Sequence, residues 1–411
     1  MIKDHSANRL LYSVYFIYFF CGMAMCFEGA FMPEFKEYFN LSYQQQMYTM
    51  FAKNIPFVIF SIFIGLLSKR IGFKNCLTFA MLLFASGTAL LIPGLHYKSY
   101  PVLLVAFFII GTGFNFELVA GNPLLSGLGD KSGSSSRLNL GNALGAIAQI
   151  ISPLIILLIL PATAVTVSDK IPYIRWLFLA IAIILLLTGI FTFILKEVKT
   201  FSFEEVADNT DQKIKDVSVW TNKKLIMGFA AIFITLGVEA GIFGLYRNYL
   251  EDRSIAALSS HQSYILFTIY FAMFALGRLA GAFIQKKIRP AVTLVFSLIT
   301  AMVLLLTMMT TTGTIAVISI TLLGFFISIY FPTLYAISIE GMGKNTAVAS
   351  GLLTMGFLGA ALLPVLQGKI ADWIGLKYCF FISLITYLYV LYFSLQSLKS
   401  RYVKDQSSTN G

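Results

Sequence analysis

Three glutamates of this 411-residue sequence stand inside long apolar stretches, where a carboxylate has few ways of being accommodated. Glu117 lies in the segment 101–125, which has no other charged residue, and Glu28 and Glu239 lie in similar surroundings. A charge inside a membrane is costly, so an ionisable residue within a membrane span indicates a functional site by default. A carboxyl group there can hydrogen-bond a polar substrate or carry a proton, because burial favours its neutral form.

A structural role is the alternative for each acid. Lys53 is the candidate charge partner of Glu117, and such a buried pair would only hold two helices together. Lys53 could instead extend its amino group to water near the end of its span. Glu28 could reach water or pair with Lys36. The sequence alone leaves these alternatives open.

Small residues accompany the third acid. Gly237 and Gly241 flank Glu239 and predict space for a ligand beside it. Carboxylates, amides and aromatic rings suit sugars, which offer hydroxyl groups and apolar ring faces. The 38 Phe and 20 Tyr supply such rings in excess, so the sequence singles out no individual ring.

Membrane-spanning helices must position these acids. Hydrophobic residues make up 58% of the chain and charged residues 12%, against about a quarter charged in soluble domains. The apolar runs are continuous rather than alternating, which favours helices over a β-barrel. Because roughly 20 apolar residues cross a bilayer, the runs predict about twelve spans. These are 10–33, 47–68, 76–95, 101–126, 138–160, 174–195, 223–247, 262–285, 291–311, 315–339, 347–368 and 377–397.

The basic residues indicate the orientation of the spans. The net charge of +11 is concentrated in short loops such as 68–74 and 285–290. With twelve spans, about 20 Lys and Arg residues fall on the side of the termini and about 8 on the other, and cytoplasmic loops carry such an excess. We therefore expect a multi-pass protein of the plasma membrane or bacterial inner membrane, with both termini cytoplasmic. A nucleic-acid partner is not expected, because these charges do not form one exposed surface.

The two halves of the chain repeat one another. Segments 27–39 and 238–250 align with an offset of 211 residues, which pairs Glu28 with Glu239. A nearly constant offset at several landmarks predicts two parallel six-helix repeats, an architecture typical of transporters. The predicted domains are an N-terminal six-helix bundle (1–195), a cytoplasmic linker (196–222) and a C-terminal six-helix bundle with a short tail (223–411).

Catalysis is not expected of this chain. It has no glycine-rich phosphate loop, and its three His residues lie in predicted loops or near span ends. Its four Cys residues lie in or beside apolar segments, where cysteine packs as a small hydrophobe. We predict no enzyme activity, no cofactor and no metal site.

Several motifs resemble a known transporter family. The loop "GLLSKRIGFK" (65–74) resembles the signature loop of the major facilitator superfamily, although Lys69 replaces the usual acid. The stretches "ELVAGNPLL" (117–125), "SSRLNLGNA" (135–143) and "FPTLYAISIEGMG" (331–343) are similar to the fucose–proton symporter family, which includes fucose permeases and glucose/galactose transporters. The resemblance covers about residues 10–397. It implies the major facilitator fold, an all-α membrane protein with twelve transmembrane helices in two six-helix repeats.

The resemblance also implies residues for the substrate or proton site. The family's acids in the first and fourth helices are displaced here by one position, to Glu28 and Glu117. Asn142 stands in the fifth helix where the family has Gln, and Glu239 falls where glucose/galactose-type members have Glu. These four residues are the expected substrate-binding or proton-coupling set.

A second group of residues is expected at gates and loops. Gly65, Arg70 and Gly72 match the signature loop. Arg137 begins the fifth span and Arg278 lies near the cytoplasmic end of the eighth, so both are expected to gate or to pack.

We therefore interpret the chain as a secondary active transporter that imports a monosaccharide of the fucose, glucose or galactose type by proton coupling and alternating access. Its expected partners are the sugar, a coupling proton (or sodium) and the lipid bilayer. A related carrier or exporter of a non-sugar metabolite is one alternative, favoured by the displaced acids. A transport-dead membrane sensor is another, but a dead carrier does not need buried acids.

The orientation is testable by cysteine labelling. Ser202→Cys, in the predicted linker, should react with an impermeant maleimide only after cells are permeabilised, because the basic loops predict a cytoplasmic linker. Ser99→Cys, in a loop predicted on the opposite side, should react in intact cells. Strong labelling of Ser202→Cys in intact cells, above that of the unmodified protein, would contradict this topology.

Overall fold

The computed structural model describes residues 5–128, 133–161, 166–196, 221–340, 342 and 345–409. Fifteen helices account for the regular structure of these residues, and no strand occurs among them. They are α1 His5–Ala30, α2 Met32–Phe39, α3 Tyr43–Ile71, α4 Phe73–His96, α5 Tyr100–Gly127, α6 Ser134–Ile159, α7 Val167–Ile194, α8 Lys223–Glu251, α9 Ser260–Ile284, α10 Pro290–Thr310, α11 Gly313–Ile327, α12 Tyr330–Ile339, α13 Thr346–Thr354, α14 Phe357–Ile374 and α15 Phe381–Thr409.

The predicted number of spans is confirmed. Within the described part of the chain, 12 helical segments of 18 to 29 residues are apolar enough to cross a membrane. The tenth span, Gly313–Ile339, contains both α11 and α12, and the eleventh, Val348–Ile374, contains most of α13 and all of α14. A broken helix frees backbone carbonyl groups, which must find other donors when water is excluded.

The described residues form two compact units. One contains 5–41 and 48–196, and the other contains 42–47 and 221–409. The first residues of α3 therefore belong to the second unit. The predicted linker, 196–222, lies outside the described residues except at its ends, so the domain boundaries of 195 and 223 stay a prediction.

Polar side chains begin several helices as the sequence pattern requires. At the start of α7, the Thr166 hydroxyl accepts a hydrogen bond from the Asp169 backbone N–H at 3.3 Å, and the Asp169 carboxylate accepts one from the Thr166 backbone N–H at 3.0 Å. Ser259 and Gln262 make the same reciprocal capping box at the start of α9. Each box satisfies N–H groups that a helix start leaves without partners.

Close helix contacts in the first unit depend on glycines. α4 packs along α5 and α7, and α1 packs along α6. A Cβ atom at Gly113 would lie 2.9 Å from the Ala80 carbonyl oxygen, and one at Gly111 would collide with the carbonyl oxygen of Lys53. The absence of a side chain at Gly111 lets α5 touch the α3 backbone at Lys53, whose side chain is buried.

Gly111→Ala should therefore destabilise the protein. The added methyl group meets backbone atoms, which cannot rotate away, and overpacking of this kind costs about 1–3 kcal/mol. Gly351→Ala is the matched control, because a Cβ atom there has nothing within 4 Å and alanine is the better helix former. Thermal unfolding of the purified variants checks the prediction. Equal unfolding temperatures for the two variants would show that α3 and α5 have room to separate.

Candidate functional site

Glu28 and Lys53 form a buried ion pair in the first unit. Glu28 lies on α1 and Lys53 on α3, with 3.1 Å between Oε2 and Nζ and with side-chain exposures of only 3% and 6%. Lys53 is thus the partner of Glu28, so the structural alternative in which Lys53 pairs with Glu117 does not hold. The reason is packing: α3 meets α5 at Gly111 through the Lys53 backbone, while the Lys53 side chain reaches α1.

Glu117 is buried on α5 without a charge partner. Its relative exposure is 2%, and the described residues give its carboxylate neither an ion pair nor a hydrogen bond. Tyr18 and Cys21 of α1 are the titratable groups with which it interacts electrostatically. The Tyr18 hydroxyl donates to Asn122 Oδ1 at 2.8 Å, five residues beyond Glu117 on α5. A carboxyl group next to a phenol in this position is free to serve a solute or a proton.

The two acids of the first unit lie at different depths. Glu28 follows Cys21 by seven residues on α1, a rise of about 10 Å along a helix. Asn115, on α5 between these levels, is fully buried and links α5 to α3, since its amide accepts from Ser61 Oγ at 3.0 Å and donates to the Pro56 carbonyl at 2.9 Å. Asn115 is therefore structural.

The remaining predicted residues of the first unit have separate positions. Asn142 is exposed on α6, and its amide donates to the Leu138 carbonyl at 2.9 Å. Arg137 donates to the carbonyl groups of Leu125 and Ser126, both at 2.8 Å, and so satisfies the end of α5. This contact gives Arg137 a packing role.

The signature loop connects α3 to α4, and Gly72 adopts a positive φ angle there. Gly72 has φ of 84°, where L-residues are strained, whereas Gly65 has open space around it and Arg70 is exposed. The following Lys74 donates to the carbonyl groups of Phe193 at 3.0 Å and Leu195 at 2.9 Å. The loop thereby satisfies the last carbonyl groups of α7 with a positive charge, as a helix C-terminus favours.

In the second unit, Glu239 lies half-buried on α8 opposite a set of tyrosines. It interacts electrostatically with Arg278 of α9, although no ion pair within 4 Å of Glu239 occurs among the described residues. Tyr270 and Tyr387 are also coupled to it, and the fully buried Tyr387 hydroxyl has no hydrogen-bond partner in the described part of the chain. Neither tyrosine could be singled out from the sequence, because nothing distinguishes it from the other tyrosines among the 20 of the chain.

Arg278 meets the break in the tenth span. Its Nε donates to the Ser328 carbonyl at 3.4 Å, between α11 and α12, and its guanidinium lies 4.7 Å from the centre of the Phe274 ring. The side chain is nevertheless exposed, and its contacts give it a packing role at the break.

The glycines beside Glu239 do not leave ligand space, contrary to the sequence interpretation. A Cβ atom at Gly241 would collide with the Gln367 amide, and one at Gly237 would lie 2.7 Å from the Gly359 carbonyl oxygen. Both glycines admit α14 against α8. A cavity of about 230 Å³ lies elsewhere in the unit, beside the exposed 3.1 Å pair of Lys224 and Glu340.

Twelve spans in two compact units, with acids inside the spans, define a secondary-transporter architecture. The sequence model of the Major Facilitator Superfamily matches residues 14–358, and the chain belongs to this superfamily. The chain therefore has a transporter fold, and it is not an enzyme.

Curated relatives and solved structures agree with this assignment. The glucose/galactose transporter of Brucella abortus biovar 1 (strain 9-941) is 30% identical over 95% of this chain and 94% of that protein. The L-fucose-proton symporter of Escherichia coli (strain K12) is 24% identical over 89% of this chain and 87% of its own length. A crystal structure of the E. coli fucose:proton symporter FucP (N162A) superposes with a TM-score of 0.66 at 21% identity, covering 96% of this chain and 99% of that one. The resemblance stated from the motifs is confirmed.

The contribution of the buried Glu28–Lys53 pair to stability can be tested by substitution. Lys53→Met should cost about 3–5 kcal/mol, because it leaves the Glu28 charge buried without its partner. Adding Glu28→Met should recover most of this loss, since two apolar side chains of similar size need no compensation. Lys224→Met, in the exposed pair with Glu340, is the control and should cost about 0–1 kcal/mol. Thermal unfolding in detergent measures all three; a double variant as unstable as Lys53→Met would disprove charge compensation.

Proposed function

We propose that this protein imports a monosaccharide of the fucose, glucose or galactose type together with protons, by alternating access. The buried Glu117 carboxyl group is the observation that carries the proposal, because the described residues offer it no structural partner. Burying an acid without a partner is costly, so its presence inside a span indicates that it binds a solute or a proton. The names of the curated relatives, glucose/galactose transporter and L-fucose-proton symporter, support the same class of substrate.

Glu117 is our candidate contact for a sugar hydroxyl. A protonated carboxyl group offers both a donor and acceptors, which suits hydroxyl groups that donate and accept. Uncompensated burial of its charge is expensive, so Glu117 is most easily accommodated when it holds a proton or a ligand. This couples occupancy of the site to proton binding.

Glu28 has a different proposed role. It shares the apolar interior with Lys53, and a proton on Glu28 would remove the charge that compensates the lysine. Loss of this compensation gives a discrete change in the contact between α1 and α3. Proton binding can bias a conformational equilibrium only through such a difference between two states.

The second unit contributes recognition chemistry in this proposal. Tyr270 and Tyr387 provide aromatic rings for apolar sugar faces, and Glu239 and Arg278 provide charged hydrogen-bonding groups. We place the protein in the plasma membrane or bacterial inner membrane with cytoplasmic termini, in line with the distribution of Lys and Arg.

Uptake of labelled sugars by vesicles of the purified protein tests the function. Fucose, glucose and galactose should be presented under a proton gradient, a sodium gradient or neither. Accumulation driven by the proton gradient supports the proposal. Accumulation driven only by sodium would replace the coupling ion, and binding without any flux of these sugars would favour a sensor or a carrier of another metabolite.

Removal of the transported proton should separate coupling from exchange. At least one of Glu28→Gln, Glu117→Gln and Glu239→Gln should abolish accumulation against a gradient while exchange of labelled for unlabelled sugar continues, because Gln cannot carry a proton. Glu117→Gln should also weaken sugar binding without lowering the folded yield. Glu340→Gln, in the exposed pair, is the control and should accumulate sugar normally. If all three variants still concentrate sugar, these acids do not couple transport.

A further inference from the structure

A small cavity lies behind the Glu28–Lys53 pair. It has a volume of about 10 Å³ and is enclosed by α1, α4, α5 and α7. Glu28 and Thr88 are its two polar lining residues, and the rest are Ala24, Leu91, Phe107, Ile110, Phe178 and Ile181. A cavity needs about 10–15 Å³ to hold one water molecule, so this one has the size of a single water.

The polar groups at the cavity need a partner that the described residues do not supply. Thr88 is 2% exposed, and neither its hydroxyl nor Glu28 Oε1 has a hydrogen-bond partner among those residues. Lys53 lies 3.1 Å from Glu28 Oε2 and compensates the charge of that carboxylate, which leaves Oε1 as the oxygen without a neighbouring donor among the described residues. Buried polar groups are nearly always hydrogen-bonded to protein or to ordered water.

The hydroxyl group of Thr88 also lacks the hydrogen bond that other threonines in these helices make to their own helix backbone. The hydroxyl groups of Thr78, Thr112 and Thr188 each donate to the carbonyl group four residues earlier, at 2.7 to 3.1 Å. Thr88 makes no such bond, although it lies in the same helix as Thr78. Its neighbour Gly87 brings α4 against α5, because a Cβ atom there would lie 2.9 Å from the Ile110 backbone nitrogen. This contact holds the α4 backbone at Thr88, and the Thr88 side chain lines the cavity.

We propose that one water molecule binds between the Glu28 carboxyl group and the Thr88 hydroxyl, and that Thr88 is a positioning residue for this water. The water accepts a hydrogen bond from Glu28 when the acid is protonated and donates one when it is charged. The Thr88 hydroxyl can rotate to complement either orientation, because it both donates and accepts. The site therefore serves both protonation states of Glu28, and its part in coupling rests on the proposed function.

The other charged groups around α1 do not take this role. Lys53 of α3 is the charged group that faces Glu28, and α4, α5 and α7 present Thr88 and apolar side chains to the cavity. Glu117 of α5 interacts instead with Tyr18 and Cys21. On the side of α6, Cys26 lies near Ser152 and Lys53. Thr88 is thus the uncharged polar residue that lines the cavity together with Glu28.

Infrared difference spectra between acid and alkaline pH, recorded on the full chain in lipid vesicles, test the proposal. The carboxyl band that Glu28→Gln removes belongs to Glu28. In the native protein, a water band in the same spectrum should shift when the solvent is exchanged for H₂¹⁸O. In Thr88→Val this water band should be lost and the Glu28 band should move to higher wavenumber, because its carboxyl group has lost a hydrogen bond.

Two controls separate a bound water from a general disturbance. Thr88→Ser keeps a hydroxyl group and should keep both bands, whereas Thr78→Val removes a buried hydroxyl from the same helix and should change neither. An unmoved Glu28 band in Thr88→Val refutes the positioning role. A native spectrum without an ¹⁸O-sensitive water band refutes the water itself, whether or not the variants fold. Retained uphill accumulation in Glu28→Gln would overturn coupling through Glu28 but leave the water site intact.

Discussion

Compensation of charge within an apolar interior organises both units. In the first unit, two buried glutamates lie beside a lysine: Glu28 beside Lys53, and Glu34 beside Lys170 at 3.6 Å. In the second unit the fully buried Arg247 pairs with Glu251, and its guanidinium lies 3.6 Å from the centre of the Tyr264 ring. A charge without such compensation would cost several kcal/mol, so the two pairs of the first unit constrain α1 to lie beside α3 and α2 beside α7, whereas the Arg247–Glu251 pair lies within α8. Glu117 stands out against this background, since it alone of the buried glutamates in the described residues has no such partner.

Charge compensation in turn requires helices to approach at defined residues. Gly111 permits α5 to touch the Lys53 backbone, and Gly237 and Gly241 permit α14 to lie against α8. Where a helix is broken rather than packed, a side chain supplies the missing donor, as Arg278 does at the Ser328 carbonyl. The polar groups of the site are therefore held by packed backbone and not by loops, which favours precise placement.

The sequence predicted the scaffold better than the site. Span number follows from hydropathy, because each crossing needs a long apolar run whatever its neighbours, and the motifs sufficed to assign the superfamily. The partner of Lys53 did not follow, since a helical sequence gives the angular position of a residue but not which helix faces it. The glycines beside Glu239 were misinterpreted for the same reason: a missing side chain can admit a ligand or another helix. No feature of the sequence indicated Tyr270 or Tyr387, because the chain contains 20 tyrosines in similar apolar surroundings.

The repeat explains why the two units differ chemically despite a common scaffold. Glu28 and Glu239 occupy aligned positions, yet Glu28 lies 3.1 Å from a lysine and Glu239 faces Arg278 at longer range among tyrosines. A duplicated bundle keeps its spacing of apolar residues because every span needs it, whereas the polar positions can diverge independently in each copy. The compensated pair in the first unit suits a two-state response to a proton. Arginine and tyrosine side chains, as in the second unit, can hydrogen-bond hydroxyl groups in several arrangements. Substitutions in the second unit can therefore change substrate preference without disturbing the Glu28–Lys53 pair of the first unit.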